Sequence, residues 1–326
     1  MTDLILRAPT LSFLRWPDNA EDHGAYAYEE DGGLLLRDGK IVAAGAYGEV
    51  AARAGEGVAT VDHRPHLLLP GFIDAHAHFP QMQVIASYGA ELLDWLNKYT
   101  FPEESKFTNP QHGRRIARLF LDEMLRQGTT TVAAYCSVHK ASAEALFAEA
   151  LERDMLVIAG KVMMDRNAPA AVLDTPQSGY DDSKALIAEW HGRGRGLYAI
   201  TPRFAITSSP EQMEMADALA REHPDLHIQT HLSENHAEIA FTQELYPWSR
   251  DYTDVYEHYG LLGQRSLFGH CIHLSEREAD AISDAGSVAV FCPTSNLFLG
   301  SGLFDYQRYR TRQKPLRIAA ATDVGG

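Results

Sequence analysis

Leu69-Pro70-Gly71-Phe72-Ile73-Asp74-Ala75-His76-Ala77-His78 decides how the rest of the chain is read. An apolar run ends in two histidines separated by one residue, and the two-residue period of a strand turns both imidazoles to the same face. Neutral imidazole is the commonest nitrogen ligand of zinc, and two from one strand leave room for ligands from other strands. Such a pair is equally at home in an ordinary core, so its meaning depends on what the other strands carry.

Onward from about residue 67, short apolar runs alternate with helical stretches, the pattern of βα units around a parallel sheet. Eight candidate strands emerge, at 67–77, 129–135, 157–164, 197–204, 226–232, 266–272, 287–292 and 317–322. Eight units predict an α/β fold of the (β/α)8 TIM-barrel type. The alternative is an open doubly wound sheet, but no Gly-rich phosphate loop follows an early strand. His191-Gly192-Arg193-Gly194-Arg195-Gly196 follows a helical segment and precedes a strand, so it reads as a turn. Upstream, two apolar runs flank Asp38-Gly39 within residues 34–45, a hairpin signal that predicts a small N-terminal β domain. The expected division is therefore residues 1–66 for the β domain and 67–326 for the barrel.

Polar residues at the ends of the other strands give the histidine pair its meaning. Arg203 and Phe204 end the fourth strand, His231 the fifth with Glu234 just beyond, His270 the sixth, and Asp323 follows the eighth. In a parallel barrel all of these lie at the C-terminal mouth, where active sites of this architecture are built. Singly, His231 or His270 reads as a hydrogen-bonded core histidine, Arg203 as a surface ion-pair partner and Asp323 as a helix cap. Their convergence on one end favours a site. His139 and His273, just past strands two and six, stand where they could brace it. His236-Ala237-Glu238 matches half of the zinc nucleoside deaminase signature, but no Pro-Cys-x-x-Cys follows, which excludes that fold.

Composition narrows the function classes. The formal charge is −15, from 44 acidic and 29 basic residues, a balance that repels phosphate backbones, so no nucleic-acid partner is expected. Cys136, Cys271 and Cys292 are odd in number and far apart, which argues against a disulfide framework and for a reducing compartment. Asp3 and Arg7 interrupt the first apolar stretch, and no run approaches the roughly 18 apolar residues of a membrane span. A cytoplasmic enzyme acting on a small molecule is the expectation.

With these residues in view, Pro70-Gly71-Phe72-Ile73-Asp74-Ala75-His76-Ala77-His78, a strand-five histidine and a strand-eight aspartate resemble the amidohydrolase superfamily. Within it the chain is similar to the guanine deaminases, through His78-Phe79-Pro80-Gln81, the run from Leu93 to Pro102, Gly160-Lys161-Val162-Met163-Met164-Asp165, Thr201-Pro202-Arg203-Phe204, Thr230-His231-Leu232-Ser233-Glu234-Asn235 and Cys292-Pro293-Thr294-Ser295-Asn296-Leu297. The likeness covers nearly the whole chain from about residue 30.

The resemblance implies a homodimeric barrel enzyme that hydrolyses guanine to xanthine and ammonia, with another purine, a pterin or a triazine as alternative substrates. It implies one zinc held by His76, His78, His231 and Asp323, a proton shuttle at Glu234, and His270 steadying the attacking water. Gln81, Arg203 and Phe204, together with His78, His231, Glu234 and Asp323, would contact the purine, and catalysis would rest on Glu234, Asp323 and His270. Dinuclear relatives often carry a bridging lysine on strand four, where this chain has Arg203; Lys161 is the nearest lysine, and a mononuclear site is expected. Because the family continues beyond residue 326, the last barrel helix and part of the β domain are expected to be missing, leaving the hairpin near residues 34–45 without partners and a barrel flank exposed. An inactive scaffold of the same fold is the reading from a different class, but every implied ligand is present.

Overall fold

The computed structural model describes residues 3–17, 19, 21–88 and 92–325. The chain divides into two units, Met1–Gly71 and Phe72–Gly326.

In the first unit, strands β1 (Leu4–Phe13), β2 (Tyr26–Arg37), β3 (Lys40–Ala46) and β4 (Ala59–Asp62) form one sheet in the order β3-β2-β1-β4. Asp38 and Gly39 make the turn between β2 and β3 with φ of 50° and 75°, the left-handed pair that matches the twist of a hairpin. The expectation of an unpartnered hairpin is overturned: β2 pairs antiparallel with β1 along nearly the whole of β1, from Leu4↔Leu36 to Phe13↔Tyr26. The helix Tyr47–Ala54 lays Val50 against Ile5 and Leu35 to make a small core of its own.

The second unit carries eight parallel strands in the order β5 (Phe72–His78), β6 (Thr129–Tyr135), β7 (Leu156–Gly160), β9 (Gly196–Pro202), β10 (His227–Leu232), β11 (Ser266–His270), β12 (Val288–Phe291) and β13 (Arg317–Ala320), with the two-residue β8 (Val162–Met163) pairing to β9. Ladders join each neighbour to the next from β5 round to β13. Where the ring meets itself, just beyond β13, the Asp323 amide donates to the His76 carbonyl at 2.9 Å and the His78 amide to the Val324 carbonyl at 3.3 Å. Asp74 reinforces this seam, accepting from the Thr322 amide at 3.1 Å, the Thr322 hydroxyl at 2.5 Å and the His76 amide at 3.2 Å. The architecture is a (β/α)8 barrel, closed at its seam by polar contacts.

The first barrel strand starts at Phe72, not at residue 67. Pro70 offers no amide hydrogen to a ladder. Upstream of it Leu68 bridges Thr10 in the small sheet. Helices between the strands bury apolar stripes on the barrel wall. Pro110–Arg126, for example, is capped by Asn109 at the amides of Gln111 and His112 and buries Ile116, Phe120 and Leu121. No helix among the described residues is long and apolar enough to cross a membrane.

Candidate active site

All eight strands point the same way, so the residues at their C-terminal ends share one mouth. His76 and His78 come from β5, His231 from β10, His270 from β11, and Asp323 follows β13. At 9% exposure or less, all five are buried. The backbone at three of these strand ends is held in the left-handed region: Ser233 at φ 50°, His270 at 69° and Asp323 at 49°. Conformations of this kind cost about 1–3 kcal/mol each and concentrate where a side chain must be aimed.

The side chains converge. His78 Nε2 and His231 Nε2 are 3.1 Å apart, and Asp323 Oδ1 lies 3.3 Å from His76 Nε2 and 3.4 Å from His78 Nε2. A tetrahedral ion with bonds of 2.0–2.2 Å keeps neighbouring ligand atoms about 3.4 Å apart. Within the cluster, His76 Nε2 and Asp323 Oδ1 are buried without a hydrogen bond. Burial pushes the His78 and His231 imidazoles well below their ordinary pKa; Asp323 opposes the shift at His78, while the neighbouring imidazoles add to it at both. His231 donates from Nδ1 to the Arg203 carbonyl at 2.7 Å, which fixes the tautomer and leaves Nε2 with its lone pair facing the cluster. Burial opposes the Asp323 charge, yet the imidazoles of His76, His270 and His78 hold its carboxyl well below the usual range. Three ring nitrogens and one carboxylate turned toward one point fit a divalent cation.

Glu234 and His270 form the next layer. Their Oε2 and Nε2 are 3.4 Å apart, and His270 Nε2 is 3.8 Å from Asp323 Oδ2. Burial raises the Glu234 carboxyl above its usual value, against the pull of His270. His270 is raised too: burial disfavours its charge, but the facing carboxylates of Glu234 and Asp323 outweigh it. Both are aimed by the stretch after β12, of which sequence reasoning quoted Cys292 to Leu297 without assigning a role and left out Ser301. His270 Nδ1 pairs with Asn296 Oδ1 at 2.9 Å, and Ser301 donates to Glu234 Oε1 at 2.9 Å. His273 Nε2 in turn meets the Ser301 carbonyl at 2.8 Å, so of the two bracing candidates it supports the site at one remove. His139 lies instead beside Lys161 and the Ala171 backbone.

A cavity of about 380 Å³ of empty space opens beside this cluster. Gln81, Arg203 and Phe204 line it with His78, His231, Glu234, His270 and Asp323, and Leu92, Trp95, Leu96 and Leu299 complete an apolar wall. Leu92 to Thr108 is a succession of helical turns with a π-helical stretch at Leu96–Thr100, an element common at functional sites. Within it, the turn Phe101–Glu104 carries Glu104, which sequence reasoning missed: buried, it accepts from Gln81 Nε2 at 2.8 Å and from Arg203 Nη1 at 2.9 and 2.8 Å. A glutamate in an acidic helical turn carries no signal that would have marked it.

Two nearby residues are set apart from the cluster. Lys161 is fully buried and donates to Asp174 at 2.5 Å and to the Val162 carbonyl at 3.2 Å, a structural ion pair rather than a bridge. Cys292 stands within ligand distance of His76, His270 and Asp323, but its thiol donates to the Val290 carbonyl and burial drives its pKa well up, so it stays protonated.

Known proteins share this arrangement. The profile of the Amidohydrolase family matches residues 67–324. Guanine deaminase of Escherichia coli (strain K12) is 46% identical over 321 residues, covering 98% of this chain and 73% of that protein. Its solved structure superposes with a TM-score of 0.95. Guanine deaminase from Bradyrhizobium japonicum superposes at 0.97 with 42% identity, over 100% of this chain and 70% of that one. Guanine deaminase from C. acetobutylicum, solved with guanine bound in its active site, does so at 0.90 with 30% identity, over 99% and 75%. A profile spanning the whole barrel, with relatives this similar along nearly the full chain, leaves one conclusion: the chain belongs to the amidohydrolase family, whose members are metal-dependent hydrolases.

Proposed function

We infer that this chain hydrolyses guanine to xanthine and ammonia. The observation that carries the reading is the cavity itself: a cation-fitting cluster, a buried carboxyl and a polar wall of Arg203 and Gln81 all face one space that a purine base can enter. The similarity to guanine deaminases, one of them solved with guanine bound, supports the same substrate.

We assign the cation to zinc, one per chain, held by His76, His78, His231 and Asp323. When bound, such an ion lowers the pKa of water from about 15.7 to about 7, making a nucleophile available at neutral pH. Phe204 and the apolar wall of Trp95, Leu96 and Leu299 sandwich the planar ring, while Arg203 and Gln81 hold its carbonyl edge. That places C2 and its amino group toward Glu234 and His270. As oxygen adds at C2, Glu234 delivers a proton to ring N3, its raised pKa keeping it competent as a donor. His270, held by Asn296, keeps Nε2 on the adding oxygen, and Asp323 orients the water proton. Glu234, whose first proton came from the water, then takes the remaining hydrogen of the added oxygen to the amino group; the C2–N bond breaks, ammonia leaves, and xanthine keeps the new oxygen. Water is thereby consumed atom for atom.

The test is steady-state guanine turnover by the zinc-loaded protein, followed by ultraviolet absorbance beside Glu234→Ala. The expected outcome is turnover that the substitution lowers by about 10²–10⁴. Full zinc with no guanine turnover would overturn the substrate. Metal analysis expecting one zinc per chain checks the cofactor. We read the working form as a cytoplasmic homodimer, for which sedimentation at micromolar concentration is the check.

A further inference from the structure

Gln81 and Arg203 are not independent recognition groups, because both hang from one buried carboxylate. Glu104 takes Gln81 Nε2 at 2.8 Å and Arg203 Nη1 at 2.9 and 2.8 Å. A carboxylate only accepts, so it decides which way the Gln81 amide is turned: the NH₂ end must face Glu104. Oε1 is left as the free end, buried and without a partner on a side chain that lines the cavity. Rotation about the last torsion is the only way to exchange these ends, and it would oppose oxygen to oxygen. Gly325 closes the other side. A Cβ there would stand 2.3 Å from Gln81 Cβ, so the backbone itself packs the stem in place.

We propose that Glu104 is the specificity-determining residue of this site: by fixing the Gln81 amide and Arg203, it sets the cavity wall to one acceptor beside one donor. That pattern fits a lactam edge, a ring N–H next to a carbonyl. Guanine presents N1–H and O6. 2,6-Diaminopurine keeps the reactive 2-amino group but presents a bare N1 and a 6-amino group, so both hydrogen bonds are reversed. A wall built to pair one edge rejects the other because buried groups are left unpaired on both sides. Glu104 acts through Gln81 and Arg203 and need not touch the base; it is a positioning residue.

This rests on the guanine reading above, and the experiment separates the two. Guanine and 2,6-diaminopurine are compared as kcat/KM and as equilibrium dissociation constants for the zinc-loaded wild type, Glu104→Gln and Glu104→Asp. A glutamine at 104 can donate to Gln81 Oε1 and so release the amide to turn over. Because it also removes the counter-ion of Arg203, the aspartate variant is measured beside it; it keeps the charge but is too short to hold both partners. The expected result is a strong wild-type preference for guanine that collapses by about tenfold or more in both variants, chiefly through weaker guanine binding. A purely structural role would slow both bases alike and leave the ratio where it was. Wild-type selectivity retained in folded, zinc-loaded variants overturns the assignment of Glu104. No turnover of either base by the wild type overturns the guanine reading, and this proposal with it.

Discussion

Gly269 shows how little freedom the proposed ligand residues have. A Cβ built on it would lie 2.6 Å from His76 Cε1 and 2.9 Å from Nδ1, so the ring of His76 rests directly on the backbone of β11. Gly269→Ala has to displace that ring. The expected outcome is a fall of about 10–100-fold in metal affinity, the scale of a disturbed ligand environment, read as zinc per chain after dialysis against a weak chelator. Normal zinc retention would show that the ring can move aside. The positions that sequence alone brought together, His76, His78, His231, His270 and Asp323, were legible because a parallel barrel delivers every strand end to one mouth. Glu104, Asn296 and Ser301 were not, because they sit on connecting segments whose path depends on tertiary packing and follows no period.

Those connecting segments make a separate prediction at the level of elements. The stretch following β12 holds both groups to which we assign proton handling, Asn296 on His270 and Ser301 on Glu234. Ser301→Ala leaves the cavity wall and the ligand cluster intact but frees the Glu234 carboxyl to rotate. We expect kcat to fall by about tenfold or more with KM little changed, since the lost contact serves proton transfer rather than binding. A rise in KM at constant kcat would reassign the serine to substrate binding. The seam between β13 and β5 is the corresponding stability element. Thr322→Val removes a hydroxyl that the buried Asp74 carboxylate accepts, and about 1–3 kcal/mol of stability is expected to go with it, measured by urea unfolding. The strands themselves were nearly all readable as runs of buried apolar residues. The start of β5 was misplaced because Leu67–Leu69 continues the apolar run while Leu68 bridges Thr10 of the other sheet, and the expected strand 157–164 breaks at Lys161 into β7 and β8.

For the whole molecule, the helix that follows β10 introduces a pH dependence of stability. Glu238 is fully buried and caps this helix, His236–Leu245, accepting from the amides of Glu234 and Asn235 at 2.9 and 3.1 Å. Burial, with the nearby Glu234 carboxyl adding to it, pushes its pKa up to about 7 from 4.5. Below pH 4.5 the group is protonated folded or unfolded and costs nothing. As pH rises from 4.5 to about 7 only the unfolded chain releases the proton freely, so the folded state loses ground by about 3 kcal/mol, and above 7 the loss stays constant. Glu238→Gln abolishes this titration. Its stability relative to wild type should therefore improve steadily between pH 4.5 and 7, as followed by urea midpoints; a difference that ignores pH would show that the carboxyl titrates normally. Zinc removal should lower Tm by a mass-action amount that grows with free zinc, and readdition should restore it.

The order of the ligands along the chain has a consequence for synthesis. His76 and His78 stand on the first barrel strand and Asp323 just past the last, and they meet only where the ring closes on itself. During synthesis the two histidines are made long before the aspartate. Until then only part of the proposed metal site exists, and a partly made barrel is expected to be inert. With the ligand set proposed above, activity requires ring closure, and chains halted before Asp323 should be inert.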